Sequence, residues 1–465
     1  MKEEIKPEDK KLKTELTDEE KAKTRSLSIK EGASASVMSG AGESYITPYA
    51  LELGANNAQI GLLTSLTGML GPISQIFGSK LIEKNSRKKI VVFSVILQAS
   101  MWLILLSLGF IFLKYGKTFY LIPLFILSYI LYALSGSLGG PAWFSLMGDA
   151  VPQGIRGKYF SKRSRISGLV STFAAIFAGI WLFYTKEWGI IIYGFMLLFA
   201  ISAVARYISA YLLNKHYVSE MKLEKEYYFS FFDFIKKAPS NNFGRFAIFV
   251  ALITLSVNIA GPFFAVYMWK DLNFNPLWFT AVNLAPGVFS LIFIPVWGKF
   301  ADKYGNRELL RIGGFFIAAT SFFWLFSKNP LYLIFVPQLI SGIGWAAFNL
   351  GASNFIYDAV TVQRRGIVVA YYNVLNGVGV FIGATLGGLF AQYVHFSFIN
   401  ILLFIFVLSG IVRIIILIIM LPKIKEVRNS TAPIKYNPLL YINEITPYIS
   451  LKEKMNPLLK SLKNK

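Results

Sequence analysis

Cysteine is missing from all 465 residues, and histidine occurs only twice, at His216 and His395. The first absence excludes disulfides, thiol nucleophiles and cysteine metal sites; the second excludes a histidine-rich metal centre. No G-x-x-x-x-G-K-[ST] loop is present to cradle a nucleotide, so ATP-driven pumping has no site. No nucleophile–base pair or metal cluster emerges either. No catalytic residue, metal or cofactor is therefore assigned, and the chain does not read as an enzyme. Residues 1–28 are charged and contain no apolar core, so no secretory signal peptide is expected. Charge itself is scarce: 15% of residues are charged, 55% are hydrophobic, and the mean hydropathy is +0.52. A soluble chain carries about 25% charged residues.

The apolar residues are gathered into runs, and a helix needs about 20 residues to cross a bilayer. Twelve such segments lie at 30–52, 59–82, 90–113, 120–148, 164–185, 189–213, 246–269, 277–300, 309–326, 331–359, 367–391 and 398–421. They lack strand alternation, and lipid demands internally satisfied backbones. The fold class is an all-α polytopic membrane protein. A net charge of +22 could point to nucleic acid, but its placement argues otherwise. With the N-terminus cytoplasmic, 39 of the 47 Lys and Arg fall in inner loops and tails. Five fall outside, at Lys114, Lys117, Lys186, Lys270 and Lys328. This is a positive-inside pattern with both termini cytoplasmic and no nucleic-acid partner. The expected organisation is a cytoplasmic tail (1–28), a six-helix bundle (29–213), a cytoplasmic linker (214–245), a second six-helix bundle (246–421) and a C-terminal tail (422–465). Within the linker, Phe229-Ser-Phe-Phe-Asp-Phe-Ile-Lys236-Lys237 reads as a short amphipathic helix on the inner surface.

Two motifs recur, one copy per half. Gly298-Lys-Phe-Ala-Asp302-Lys-Tyr-Gly305-Asn306-Arg307 has a degenerate copy 219 residues upstream, Ser79-Lys-Leu-Ile-Glu83-Lys-Asn-Ser86-Arg87-Lys88. Gly148-Asp149-Ala-Val-Pro-Gln-Gly-Ile-Arg156-Gly157 and Tyr357-Asp358-Ala-Val-Thr-Val-Gln-Arg-Arg365-Gly366 share Asp-Ala-Val and Arg-Gly at an offset of 209. Arg206 and Arg413 sit at a similar offset. Recurrence at these distances indicates an internal repeat. Each loop sets a carboxylate at a helix end, then a tight turn, then bases.

The sequence resembles the major facilitator superfamily over residues 28–425, through the G-x-x-x-D-x-x-G-[RK]-[RK] loop between the second and third segments of each half. Asn306 departs from that pattern, as do Ser79, Glu83 and Ser86. The resemblance implies twelve helices in two pseudo-symmetric bundles, probed by a small solute at the midplane through alternating access. It implies that Glu83 meets the start of the eleventh segment near Gly366, and Asp302 the start of the fifth near Gly157. Arg87 or Lys88 would pair with Asp149, and Arg307 with Asp358. With Arg156 and Arg365, these residues form an expected cytoplasmic gate. The segments that line the cavity in this family carry Asn258, Gln338, Asn349, Asn354, Tyr372, Asn373 and Asn376 here, all but Gln338 taken as substrate candidates. An interhelix hydrogen bond is the competing role for each. Two marks of drug–proton antiporters, an Arg in the fourth segment and a Gly-Pro pair in the fifth, are absent.

Glu43, within the first segment, is the leading candidate for coupling. A carboxylate within a span costs at least about 2.5–3.5 kcal/mol and is rarely kept without a role. Protons or another coupling ion would be its partner. A hydrogen bond to a neighbouring helix is the alternative. Glu31 reads as an interfacial partner for a loop base, and snorkelling accounts for Arg206 and Arg413 as well as anion binding does. The expected function is a secondary active transporter of a small solute in the cell membrane, acting as a monomer. A lipid, amphiphile or drug exporter and a non-transporting sensor are the alternatives.

Overall fold

The computed structural model describes residues 16–82, 85–219, 230–397 and 399–428, without the side chains of 153 and 362–366. Among these residues every regular element is helical. The first apolar segment is α1 (Asp18–Ala41), a 3₁₀ turn (Glu43–Tyr45) and α2 (Ile46–Glu52). The next are α3 (Asn57–Leu81) and α4 (Arg87–Tyr115), then α5 (Leu121–Leu138) running on as α6 (Gly140–Ala150). Then follow α7 (Arg156–Glu187) and α8 (Ile191–Asn214), the short α9 (Phe231–Lys237), α10 (Asn242–Val266) and α11 (Pro276–Tyr304). The remainder are α12 (Asn306–Phe323), α13 (Pro330–Leu333) leading through a π turn into α14 (Leu339–Ala359), α15 (Val362–Tyr393) and α16 (Ile401–Met420).

Ten of these spans are long and apolar enough to cross a membrane. The first and ninth segments fall short of that measure. The first is rich in Ser, Gly and charge, and α12 opens on Arg307, Glu308 and Arg311. With them the described residues show the expected order of twelve helical segments. The start of α1 is earlier than the hydropathy suggests. Thr17 and Glu20 form a capping box, with reciprocal side-chain to backbone bonds of 3.3 and 2.9 Å, so the helix begins at Asp18. Asn56 and Gln59 start α3 in the same way, at 2.9 Å each.

One compact unit holds the described residues before 229 together with Asn258–Thr280 and Asn373–His395. Within it α4 packs on α5 and α8, α1 on α7 and α8, and α3 on α5. Its interior is aromatic: Tyr49, Trp102, Phe125, Phe195 and Phe199 are all fully buried. Glycines of α15 serve close packing here. A Cβ on Gly387 would lie 2.1 Å from the Ile259 carbonyl oxygen, and one on Gly377 would lie 2.9 Å from that of Gly68. The second unit holds the described residues of 230–257, Ala281–Tyr372 and those from 396 on. There α12 packs on α14 and α16 around Phe246, Phe249, Phe348 and Phe355. In a membrane, lipid is as apolar as Leu, so this packing rests on close van der Waals fit and interhelical hydrogen bonds.

Candidate functional site

The first helix breaks where its carboxylate sits. α1 ends at Gly42 (φ −103°, ψ −67°), Glu43–Tyr45 make one 3₁₀ turn, and α2 resumes at Ile46. Gly42 is required there: a Cβ would stand 2.6 Å from both Trp102 and the Ser202 hydroxyl. The break turns Glu43, which is partly buried, toward α5. The Tyr132 hydroxyl donates to Glu43 Oε1 and also lies 3.4 Å from Met38 Sδ. Tyr129 stacks on Tyr132 at 5.2 Å and 9°, and Trp102 meets Tyr132 edge-on at 5.0 Å. The Trp102 indole N–H is buried without a partner. Two residues on, the Tyr45 hydroxyl donates to the Ala175 carbonyl at 2.7 Å and lies 2.6 Å from Thr280 Oγ1. The result is a carboxylate, still partly accessible, set among aromatic rings at a discontinuity in a spanning helix. Discontinuous helices are where transport proteins expose polar groups to solutes and ions.

The amide candidates divide between the units. Asn258, Asn373 and Asn376 belong to the first, each partly exposed. In the second, Asn349 is exposed and Asn354 partly so, both on α14. Tyr372 stacks parallel to Phe246 at 5.9 Å and 3°. Gln338 donates to the Val282 carbonyl at 3.0 Å and so makes an interhelix bond.

At the lysine-rich end of the first unit, Arg87 is 4% exposed and lies 2.7 Å from Asp149 Oδ2. It also donates to Ser145 Oγ (2.7 Å) and the Ser219 carbonyl (2.8 Å), while the Ser219 hydroxyl donates to Asp149 at 2.7 Å. Lys88 donates to the His216 carbonyl at 3.1 Å. Arg156 is exposed and reaches back to the Val151 and Gly148 carbonyls, both at 3.3 Å. Glu83 and the side chain of Arg365 lie outside the described residues.

In the second unit the loop departs from the expected pairing. Asp358 accepts from Asn306 Nδ2 at 2.8 Å rather than pairing with Arg307. The neutral residue that breaks the sequence pattern therefore takes the place of the base, because Asn306 opens α12 with its side chain fully buried beside α14. The Arg307 backbone N–H donates to Glu426 at 2.7 Å, and Asp302 pairs with Arg428 at 3.0 Å. Gly305, at φ +88°, makes the turn, and a Cβ there would lie 2.5 Å from Glu426 Oε2.

Glu31 does meet a loop base, Arg163, but in the interior rather than at an exposed interface. It is 4% exposed, 2.8 Å from Arg163 and 3.7 Å from Arg206, and it accepts from Ser209 at 2.9 Å. Arg206 is held further by Gln98 at 2.7 Å. Arg413 is likewise interior, 3% exposed, donating to the Ile317 carbonyl (2.6 Å) and Ser409 (2.7 Å). Neither arginine snorkels, since each is held by inward-facing oxygens, while the Arg413 Nε–H is buried without a partner. Arg163 escaped the sequence reading because it sits in a run of loop bases, and only packing distinguishes it. At the opposite end of the first unit, Trp269 donates to Glu52 at 2.8 Å, Lys270 to the Ala55 carbonyl at 3.0 Å, and Asn57 to the Ala391 carbonyl at 3.0 Å. No sequence motif marks these contacts.

A family model described as Major Facilitator Superfamily matches residues 32–239 and 246–456. The chain is 28% identical over 116 residues to Multidrug resistance protein 1 of Bacillus subtilis (strain 168), a match covering 24% of this chain and 30% of that protein. It is 31% identical over 100 residues to Vacuolar basic amino acid transporter 1 of Saccharomyces cerevisiae, covering 22% of this chain and 18% of that one. The matched stretches thus span less than a third of either relative. Among solved structures, a mutant of the nucleoside transporter NupG superposes with a TM-score of 0.67 at 14% identity, over 86% of this chain and 100% of that one. At that identity the likeness concerns the fold.

Proposed function

From its membership of the major facilitator superfamily, which the match across both halves of the chain establishes, we propose that this protein is a secondary active transporter of a small solute. It works by alternating access in the cell membrane, as a monomer of two six-helix halves with both termini in the cytoplasm. The observation that carries the reading is the break in the first helix at Glu43, a partly buried carboxylate that accepts from Tyr132. A carboxylate so placed binds either a proton or a cationic group of the solute, and its aromatic neighbours favour a solute with an apolar body. Asn258, Asn349, Asn354, Tyr372, Asn373 and Asn376 are assigned as further solute contacts.

The lysine-rich end is assigned to the cytoplasm on the distribution of Lys and Arg. There Arg87 and Asp149 brace the loop between α3 and α4, and Asn306 and Asp358 brace its counterpart. The opposite end is the outer face, where the Trp269–Glu52 and Asn57–Ala391 contacts must part to admit solute from outside.

The test is a thermal-shift screen of metabolites, drugs and lipids at two pH values, followed by uptake of the hits into proteoliposomes under a pH gradient. A ligand of the folded state raises the melting temperature by mass action. The expected result is a hit whose uptake depends on pH in the wild type and loses that dependence in Glu43→Gln. Uptake that keeps its pH dependence in Glu43→Gln removes proton coupling from this residue. A hit that binds but is never taken up overturns the transport assignment.

A further inference from the structure

A cavity of about 690 Å³ lies at the lysine-rich end of the first unit, between the start of α1, the start of α4 and the segment that follows α8. Lys23, Lys88 and Lys215 line it, with Ser26, Ser86 and His216, and no carboxylate lines it among the described residues. Each lysine has an anchor. Lys23 pairs with the exposed Glu19 at 2.7 Å, Lys88 holds the His216 carbonyl, and the Lys215 ammonium stands 4.2 Å above the Tyr211 ring. Only the anchor of Lys23 is a carboxylate, and Glu19 is not among the residues that line the cavity.

Two further features converge on it. α4 is 29 residues long, and Ser86, its N-cap, makes no side-chain bond to the first N–H groups of the helix. The positive end of the helix dipole therefore faces the cavity without the usual side-chain oxygen. His216 is 1% exposed, and neither ring nitrogen has a hydrogen-bond partner. A buried polar group without a partner costs about 1–3 kcal/mol, so its retention calls for an explanation.

We propose that this cavity is an anion site for a phosphoryl group, carried either by inorganic phosphate or by a lipid head group. Three ammonium groups, a helix N-terminus and an unanswered imidazole N–H are the donors such an anion requires. Bound there, the anion fastens the start of α4 to α1 and to the end of α8. The first residue of α4, Arg87, holds Asp149 and Ser219. Occupancy thus bears directly on the brace of the loop between α3 and α4.

The sequence supplies its own reporter, since His216 has only His395 for company. Protein labelled with ¹³C,¹⁵N-histidine is placed in phosphatidylcholine nanodiscs and titrated with inorganic phosphate. A second arm uses nanodiscs doped with phosphatidic acid. The expected result is a saturable shift of the His216 ring signals, with its titration midpoint raised and His395 unmoved. Lys88→Gln and Lys215→Gln should each weaken the response about tenfold, the loss of one charge-assisted bond, while Lys215→Arg retains it. A shift with phosphate assigns a soluble anion, and a shift only with phosphatidic acid assigns a head group. A silent His216 in both arms overturns the proposal. So does a shift of equal midpoint in wild type and both Gln variants. An unchanged His395 signal identifies variants that remain folded.

Discussion

Neutralising Glu31 should be the most damaging single change to a titratable residue in the first unit. Its side chain is 5% exposed, with one oxygen 2.8 Å from Arg163 and the other 3.7 Å from Arg206 and 2.9 Å from the Ser209 hydroxyl. Glu31→Gln preserves volume and the Ser209 bond but removes the carboxylate paired with both guanidinium groups. These are themselves 19% and 12% exposed, so water restores little. What remains for Arg163 is the Ser28 carbonyl at 3.1 Å and the face of Trp143 at 4.6 Å, and for Arg206 the Gln98 oxygen and the Ser209 hydroxyl at 3.0 Å. Breaking a buried pair from one side costs about 3–5 kcal/mol, chiefly as uncompensated charge. At about 2–4 °C per kcal/mol for a unit of this size, the melting temperature should fall by roughly 6–20 °C. The assay is thermal unfolding in detergent, with Glu19→Gln as the control. Glu19 pairs with Lys23 at 2.7 Å on an exposed surface and should leave the midpoint unmoved. The double variant Glu31→Gln/Arg163→Gln should recover part of the loss, because it also removes a stranded cation. A Glu31→Gln midpoint equal to that of Glu19→Gln refutes the reasoning.

Two further outcomes are expected. Burial pushes the His216 imidazole down from 6.5 to about 4, so the folded protein keeps it neutral while the unfolded chain takes up a proton below about pH 6.5. Stability is therefore complete above that value and falls by about 3 kcal/mol as pH drops from 6.5 to 4, and His216→Gln should flatten this window in a pH series of melting temperatures. Gly305→Ala places a side chain at φ +88°, ψ 171° and against Glu426, and should cost about 1–3 kcal/mol by the same assay; a midpoint within experimental error of wild type would show that the turn adapts freely.

Much of the architecture was legible in the sequence. Twelve apolar runs, a lysine-rich set of loops and a loop motif repeated 219 residues apart give the helix order and the fold class, because lipid leaves a spanning chain few alternatives to the helix. The same reasoning found Glu43, since a carboxylate in an apolar run stands out in one dimension. The family resemblance implied that Arg87 or Lys88 pairs with Asp149, and Arg87 does meet it. The roles of Glu31, Arg163, Arg206 and Arg413 were decided only by the tertiary structure. Whether a charge near a helix end reaches outward or inward depends on rotation about the helix axis and on what the neighbouring helices offer, neither of which is written in local composition. Asn306 makes the same point: by motif it is a departure, yet folding buries it against Asp358 in place of a base. The lysine-lined cavity beside His216 arises in the same way, from segments far apart in the chain that packing brings together.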